Sequence, residues 1–474
     1  MKKITSIFIL FFFFTFVNAQ TLEEDLGQII DDFQLMGMSV WMQKNDEVQS
    51  FHFGLKDFTR NLEVDEKTKY RIASISKTVS ALGLLKLYDE GLFDLDDPIN
   101  DYLSFTVENP NFPANDITFR MLLSHTSSIQ DGSGYNGFLN ATFSQNPIPS
   151  LEELLTSAGT FYTSNMYRTE PPGTYFAYSN LNYGVIATLI EAISNERFDV
   201  YMKNEILNPL GITGSYNIQD IQDINDIAVL YRNQGGWNPQ TDNYQGVMPQ
   251  PSFSLPSLIL GTNGLFFSPQ GGLRASASEL GILLQFLKSD GTSHPGIISE
   301  ETLVEMKSVQ WDYDGSNGDN YFGLFNRWGL GVQHANLSDG DQICIDAQWG
   351  SFIGHPGEAY GLISDAYFSD DGEVAFSFLT NGSFLGYQFG NISSYYTVEE
   401  ALFNILCAYF NENLSSNDNT FKNIISFPNP VSENLQIEGI KQFPFQVKLF
   451  DLRGVLVFYE RIEDIKQTTL SFSK

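Results

Sequence analysis

Leu22, Leu26, Ile29, Ile30 and Phe33 recur at helical spacing and predict an amphipathic helix near the start of the chain. Residues 38–42 (Met-Ser-Val-Trp-Met) then read as a strand, Asn45-Asp46 as a hairpin turn and 48–53 as the returning strand. Far along the chain, residues 329–334, 350–354, 359–368 and 373–379 predict further strands. Asp370-Asp371-Gly372 is a turn between the last two, and 398–410 predicts a closing helix. The stretch between these ends is mostly helical with long loops. Strands drawn from both ends around a helical insertion predict an α/β fold. Its antiparallel sheet is flanked by helices, an all-α subdomain lies beside it, and the cleft between them is the natural binding site.

The two ends depart from this pattern. Lys2 and Lys3 precede an apolar run of 11 residues, 7–17, too short to span a bilayer. Val17-Asn18-Ala19 supplies small residues for a cut before Gln20, so residues 1–19 read as a secretory signal. No cysteine follows the cut, and no later stretch reads as a transmembrane helix. At the other end, 411–423 (NENLSSNDNTFKN) is polar and reads as a linker. We place the main domain at 20–413, the linker at 414–422 and a separate module at 423–474. In that module Leu435, Ile437, then Val447, Leu449, Phe450, Leu452, then Val455 and Val457 read as short strands of a small β-sandwich.

Composition narrows the picture. At 474 residues with 42% hydrophobic content the chain can bury a sizeable core, which excludes wholesale disorder. Its 26 Lys and Arg against 57 Asp and Glu give a net charge of −31, which excludes nucleic acid and anionic lipid as natural partners. The last module carries six residues of each sign, so the main domain holds the whole acidic excess. Two cysteines, Cys344 and Cys407, are too few for a disulfide scaffold; they form one bridge or none. The five histidines are scattered, with no pair at metal-ligand spacing.

Three short motifs carry chemistry. Ser74-Ile75-Ser76-Lys77 stands just before an apolar helical stretch. One helical turn brings the Lys77 amine to the Ser74 hydroxyl, a weak nucleophile until a base takes its proton. The plain alternative for Ser74 is a helix cap. Tyr178-Ser179-Asn180 follows a Pro-Pro-Gly turn and precedes a helical run, a placement that presents a phenol and a carboxamide to a cleft. His355-Pro356-Gly357 stands just before the strand expected from Ala359, and its glycine admits a close backbone approach. Each spacing recurs elsewhere: Ser471 to Lys474, Tyr231-Arg232-Asn233, Tyr409-Phe410-Asn411 and His52-Phe53-Gly54. The order and local context of the three favour the first set.

The surrounding residues sharpen this. Tyr70-Arg71-Ile72-Ala73-Ser74-Ile75-Ser76-Lys77, Leu92-Phe93-Asp94-Leu95-Asp96-Asp97-Pro98-Ile99, and Ile117-Thr118-Phe119-Arg120-Met121-Leu122-Leu123-Ser124-His125-Thr126-Ser127 are three such stretches. Pro172-Gly173-Thr174-Tyr175-Phe176-Ala177-Tyr178-Ser179-Asn180, Gly271-Gly272-Leu273-Arg274-Ala275-Ser276 and Gly354-His355-Pro356-Gly357 are three more. Together, over about residues 26–410, they resemble the class C β-lactamase-related serine hydrolases, a group that also holds DD-peptidases, D-aminopeptidases and esterases. The resemblance implies the serine β-lactamase/DD-peptidase-like fold. It implies Ser74 as the acylated nucleophile, with Lys77 and Tyr178 sharing the proton transfers and Tyr178 as base toward Ser74. Asn180 then positions substrate and Lys77, and His355 lines the opposite wall. The backbone N–H groups of Ser74 and Glu358, the latter just after Gly357, form the oxyanion hole. His125 is structural. No metal or organic cofactor is needed.

Two departures matter. Ser127-Ser128-Ile129 replaces the usual Ser-Gly-Leu, and His355 replaces the lysine of dedicated β-lactamases, which favours a peptidase or esterase. The carboxyl of Glu358 beside the sheet edge repels carboxylate substrates or selects an amine. Segments 130–149 and 237–261 are the candidate specificity insertions. The chain reads as an exported hydrolase of amide or ester bonds, a D-amino-acid peptidase of the DD-carboxypeptidase kind or an esterase, with β-lactamase action left open, its partner a small-molecule or peptide substrate. The alternative is a non-catalytic surface protein of the same fold that recognises penicillin or peptidoglycan. Phe427-Pro428-Asn429-Pro430, Leu435-Gln436-Ile437 and residues 447–454 (VKLFDLRG) resemble the C-terminal sorting domain of the Bacteroidetes type IX secretion system. That implies engagement of the secretion machinery and a secreted or cell-surface location, periplasmic if the tail is not competent. It departs from such tails in reaching Lys474 without a final Gly-aromatic strand and basic end.

Overall fold

A computed structural model describes residues 21–344 and 349–416, together with five strands between Ile425 and Ser471. The expected secretory signal, 1–19, lies outside the described residues. Helix α1 (Leu22–Asp32) starts on a capping box: the Thr21 hydroxyl accepts from Glu24 N–H, and the Glu24 carboxylate accepts from Thr21 N–H. Strands β1 (Gly37–Lys44) and β2 (Glu47–Asp57) form the expected hairpin, and Asn45 at its turn takes φ +51°.

Two short strands, β3 (Leu62–Glu63) and β4 (Tyr70–Arg71), lead to α2 (Ile75–Asp89). The helical insertion holds α3 (Phe119–Leu123), α4 (Tyr135–Ser144), α5 (Glu152–Leu155), α6 (Asn180–Ser194) and α7 (Phe198–Tyr201). A hairpin of β5 (Leu230–Asn233) and β6 (Trp237–Thr241) follows, within a stretch read as loop from the sequence. Next come β7 (Arg274–Ala275), α8 (Ala277–Lys288), α9 (Glu300–Lys307), β8 (Trp311–Asp312), β9 (Arg327–Trp328) and β10 (Gln333–Ala335). Strands β11 (Phe352–Ala359), β12 (Leu362–Ser369), β13 (Val374–Thr380) and helix α10 (Thr397–Ser416) follow.

The nine-stranded sheet runs β3-β2-β1-β13-β12-β11-β10-β9-β8. Strand β1 pairs with β13 from Met38 opposite Thr380 to Lys44 opposite Val374, so residues more than three hundred apart share the sheet centre. Helix α8 covers this centre, where the missing side chain of Gly281 makes room for the Trp41 ring. Helix α2 is buried on nearly every side, as its lack of a polar stripe requires. The antiparallel sheet, flanking helices and helical partner layer agree with the fold read from the sequence.

Three expectations are corrected. Residues 329–334 are not one strand: Gly329 and Gly331 make a reversal between β9 and β10, and Gly331 takes φ +81°. The His-Pro-Gly motif lies inside β11 rather than before a strand at Ala359. Helix α10 runs on to Ser416, so the first residues of the polar linker are helical. Cys344 and Cys407 are joined as a disulfide. Among the described residues no helix is long and apolar enough to cross a membrane.

The chain divides into two units, Met1–Cys407 and Ala408–Lys474. In the second, β14 (Ile425–Phe427), β15 (Asn434–Glu438) and β18 (Thr469–Ser471) form one sheet, while β16 (Phe445–Phe450) pairs with β17 (Leu456–Ile462). Of the tail residues read as strands, Leu435, Ile437, Val447, Leu449, Phe450 and Val457 lie in strands, while Leu452 and Val455 lie outside the described residues.

Candidate active site

Ala73, just before α2, is held in the left-handed region at φ +49°, which costs a residue with a Cβ about 1 kcal/mol. That turn delivers Ser74 to the start of α2. Its hydroxyl makes no capping bond; it accepts from Lys77 Nζ at 3.0 Å. The capping role open to Ser74 is thus not the one it takes. Lys77 also donates to the Asn180 side-chain oxygen at 2.8 Å and to the Gln270 carbonyl at 2.9 Å. Its side chain is wholly buried, and that burial pulls the amine down to about 7, with Asp131 acting weakly in the opposite direction.

Asn180 opens α6. Its amide is oriented by Asp131, which accepts from Asn180 Nδ2 at 2.7 Å and from the backbone N–H groups of Asn180 and Leu181 at 3.1 and 2.9 Å. A carboxylate at a helix start satisfies free N–H groups and suits the dipole. Tyr178 stacks on Phe325 with ring centroids 5.2 Å apart, and its neighbour Ser179 donates from the backbone to His125 Nδ1 at 3.1 Å. His125, buried among Phe176, Tyr178 and Trp328, is the structural residue expected, fixing the backbone beside Tyr178. Burial holds the Tyr178 phenol well above its ordinary value, and a polar contact to Ser74 only partly offsets this.

From β11 come His355, Gly357 and Glu358. His355 Nδ1 lies 2.6 Å from the Pro356 carbonyl, which can only accept, so Nδ1 carries the proton. The bare Nε2 then faces the Tyr178 hydroxyl at 3.4 Å. Burial, with Lys77 nearby, lowers His355 to about 3, so the ring is neutral at ordinary pH. At Gly357 a Cβ would sit 2.9 Å from the Ile72 carbonyl and 3.2 Å from the Ser74 nitrogen, so only glycine lets the strand lie this close to the nucleophile.

The orientation of Glu358 follows from register. Glu358 pairs with Ile363, whose N–H and C=O both engage the Thr380 hydroxyl on β13. In an antiparallel pair Glu358 must then turn its own N–H and C=O away from β12, toward the outer edge of β11. Strand β10 pairs only as far as Gly354, so that edge is open from His355 onward. Among the described residues the Ser74 N–H finds no acceptor either. The Ser74 and Glu358 N–H groups, both of residues that line the cleft, are therefore left without an acceptor among the described residues.

Ser74, Tyr178, Asn180, His355, Gly357 and Glu358 line one cleft of about 750 Å³, and Lys77 bonds to two of them. The structure thus gathers all seven residues singled out in the sequence. The competing motifs lie elsewhere: His52 bonds Ser39 on the β1–β2 hairpin, and Tyr231 bonds the backbone of Phe58. The specificity segments are a correction. Apart from Asp131 supporting Asn180, 130–149 and 237–261 do not line the cleft; Tyr321, Phe322, Phe325, Phe389, Tyr395 and Tyr396 do. Sequence reasoning also missed Asp131 and the Gln270 carbonyl. Asp131, five residues after the Leu-Leu-Ser-His-Thr stretch, carried no signal of its own.

The chain is similar to several known proteins. The chain is 28% identical to penicillin-binding protein 4* of Bacillus subtilis (strain 168) over 202 residues, 42% of this chain and 42% of that protein. It is 26% identical to protein flp of Staphylococcus aureus (strain MRSA252) over 239 residues, 50% of this chain and 44% of that one. It thus spans less than half the length of these curated relatives. In fold it is similar to D-amino acid amidase from Ochrobactrum anthropi SV3 complexed with L-phenylalanine (TM-score 0.59, 18% identity, 83% of this chain and 99% of that one). It is likewise similar to the octameric penicillin-binding protein homologue from Pyrococcus abyssi (TM-score 0.56, 22% identity, 77% and 74%). The beta-lactamase family model matches residues 21–389, and the chain belongs to that family of penicillin-binding-protein-like serine hydrolases.

Proposed function

We propose that this protein is an exported serine hydrolase that cleaves amide or ester bonds through an acyl-enzyme on Ser74. The observation that carries the mechanism is the set of partners around Lys77. The Asn180 oxygen and the Gln270 carbonyl can only accept. A neutral Lys77 amine spends its two N–H bonds on them, and its lone pair is left for Ser74. The amine lowered to about 7 and the phenol held high together support Lys77, rather than the Tyr178 expected from the sequence, as the first base.

In acylation the Ser74 proton passes to Lys77 Nζ as Oγ bonds to the substrate carbonyl carbon. The Ser74 and Glu358 N–H groups receive the oxyanion; each such donor is usually worth roughly 10²–10³ in rate. The tetrahedral species collapses, the carbonyl–leaving-group bond breaks, and Tyr178 hands a proton to the departing nitrogen or oxygen, taking one from Lys77. Water then attacks the ester on Ser74 by the same route, restoring the serine. Asn180 positions Lys77 and the substrate, and His355 accepts from the Tyr178 hydroxyl.

The substrates are those of a peptidase or esterase rather than lactams or peptides with a free carboxylate at the site. His355 is neutral where a cation would be needed, and among the described residues no Lys or Arg lines the cleft. Export is supported by the apolar leader and by the Cys344–Cys407 bridge, since disulfides persist in oxidising compartments. The tail, similar to a type IX sorting domain, is the route we assign to secretion.

The test is covalent labelling with a fluorophosphonate and a fluorescent penicillin. Ser74→Ala should lose all label with its fold intact. Retained label in Ser74→Ala, or none in the wild type alongside unchanged ester turnover in Ser74→Ala, would reject the serine mechanism and favour a binding role.

A further inference from the structure

The cleft beyond the nucleophile has an unusual chemical lining. Among the described residues its walls are the rings of Tyr321, Phe322, Phe325, Phe389 and Tyr396, its only charged lining side chains are Glu358 and Glu399, and no Lys or Arg lines it. Phe322 and Phe389 are 98% and 81% exposed, so large apolar faces stand in water at the mouth. Phe389 and Tyr396 stack with centroids 5.7 Å apart and planes 19° apart, and the Tyr396 hydroxyl donates to Glu358 Oε2 at 2.8 Å. That bond fixes the Glu358 carboxylate against the rings while its other oxygen stays free. Glu399 is buried, and burial raises its carboxyl and that of Asp365, with which it interacts; Glu358 is the exposed acid. Lys77 is wholly buried and outside the lining, and Arg232, which acts electrostatically on Tyr396, is outside the lining too.

A fixed carboxylate beside aromatic faces, without a cation in the same walls, is chemistry suited to an ammonium group. Resting on the hydrolase reading above, we propose that Glu358 is the specificity-determining residue of the cleft: its carboxylate pairs with a protonated amine of the substrate, whose hydrocarbon part lies on the aromatic wall. The backbone of the same residue serves the reacting carbonyl, so the selected amine lies within a residue's length of the scissile bond. The substrate class is amino-acid amides, esters or short peptides with a free amine. The surplus acidity of the main domain draws such cations toward the site.

Calorimetry on the full chain compares 2-phenylethylammonium with the near-isosteric but neutral 2-phenylethanol. The wild type should bind the ammonium at least about tenfold tighter, a preference that disappears in Glu358→Gln and is kept in Ser74→Ala. In parallel, the kcat/KM ratio for phenylalaninamide over its N-acetyl derivative should fall about tenfold or more in Glu358→Gln. Tyr396→Phe, which frees the carboxylate but keeps its charge, should weaken the preference only in part. Equal binding of ammonium and alcohol by the wild type, or a preference untouched in Glu358→Gln, overturns the proposal. Loss of Ser74 labelling with the ammonium preference intact would instead fault the hydrolase reading and leave the amine site standing.

Discussion

Asp131 holds Asn180 by its amide nitrogen at 2.7 Å, and so the amide oxygen is the atom that meets Lys77. The same carboxylate acts electrostatically to raise the Lys77 amine. Asp131→Asn should therefore slow Ser74 labelling at neutral pH by about tenfold while moving its acidic limb to lower pH. A purely structural role for Asp131 would lower the rate without displacing that limb, and a pH series of second-order labelling rates separates the two.

Lys77 itself sets the limb. Its ordinary value is 10.5 and burial brings it to about 7, so the neutral, proton-accepting fraction grows as pH rises through neutrality. Labelling should increase from pH 5 to a plateau near pH 8 with a midpoint near pH 7. Lys77→Ala should lower it by roughly 10²–10⁴, the usual worth of a general base, with the circular dichroism spectrum unchanged.

His355 should contribute no limb of its own near pH 6, because its ring stays neutral down to about 3. His355→Lys would place a cation beside Tyr178 and near Lys77. The expected outcome is a lower midpoint for the Lys77 limb and faster acylation by penicillins relative to neutral esters. Stopped-flow acylation with one substrate of each kind measures both.

The buried pair Asp365 and Glu399 predicts a stability trend. Burial raises both carboxyls, and the Asp365 charge pushes Glu399 up further while Glu399 holds Asp365 back in part, so the folded protein binds a proton that the unfolded chain releases above the ordinary carboxylate range. Stability contributed by the pair is thus lost as pH rises. Asp365→Asn should stabilise the protein by about 1–3 kcal/mol at pH 8 and by less at pH 5, read from urea midpoints at the two pH values.

The Cys344–Cys407 bridge closes a loop with a sequence separation of 63, which in the chain-entropy view stabilises by about 4 kcal/mol. Cys344→Ser with Cys407→Ser should lower the urea midpoint accordingly, and a reductant should reproduce the shift in the wild type.

Much of this was legible in the chain. Apolar runs bounded by turns announced strands at the two ends, and the sheet joins those ends through the β1–β13 pairing. Ser74 and Lys77 were legible because one helical turn is a fixed distance. Tyr178 and His355 were legible through their surroundings rather than their own spacing. What stayed hidden depended on contacts across the fold. Asp131 meets Asn180 over 49 positions and the Gln270 carbonyl meets Lys77 over 193, and a backbone carbonyl leaves no mark in residue type. The walls of the cleft were misplaced for a related reason: loops rich in glycine and asparagine look like binding loops, whereas Phe322 and Phe389 in ordinary sequence surroundings are the ones that face it.

The open border of β11 has a further meaning. A row of unmatched peptide groups is an invitation to any extended chain, including another copy of the same protein. Here the row is short, interrupted by Pro356, which has no N–H to offer, and followed by the charged Glu358. Those are the devices by which a sheet margin resists being extended indefinitely. This open stretch of backbone beside the cleft is thereby too brief and too negatively charged to seed a larger sheet.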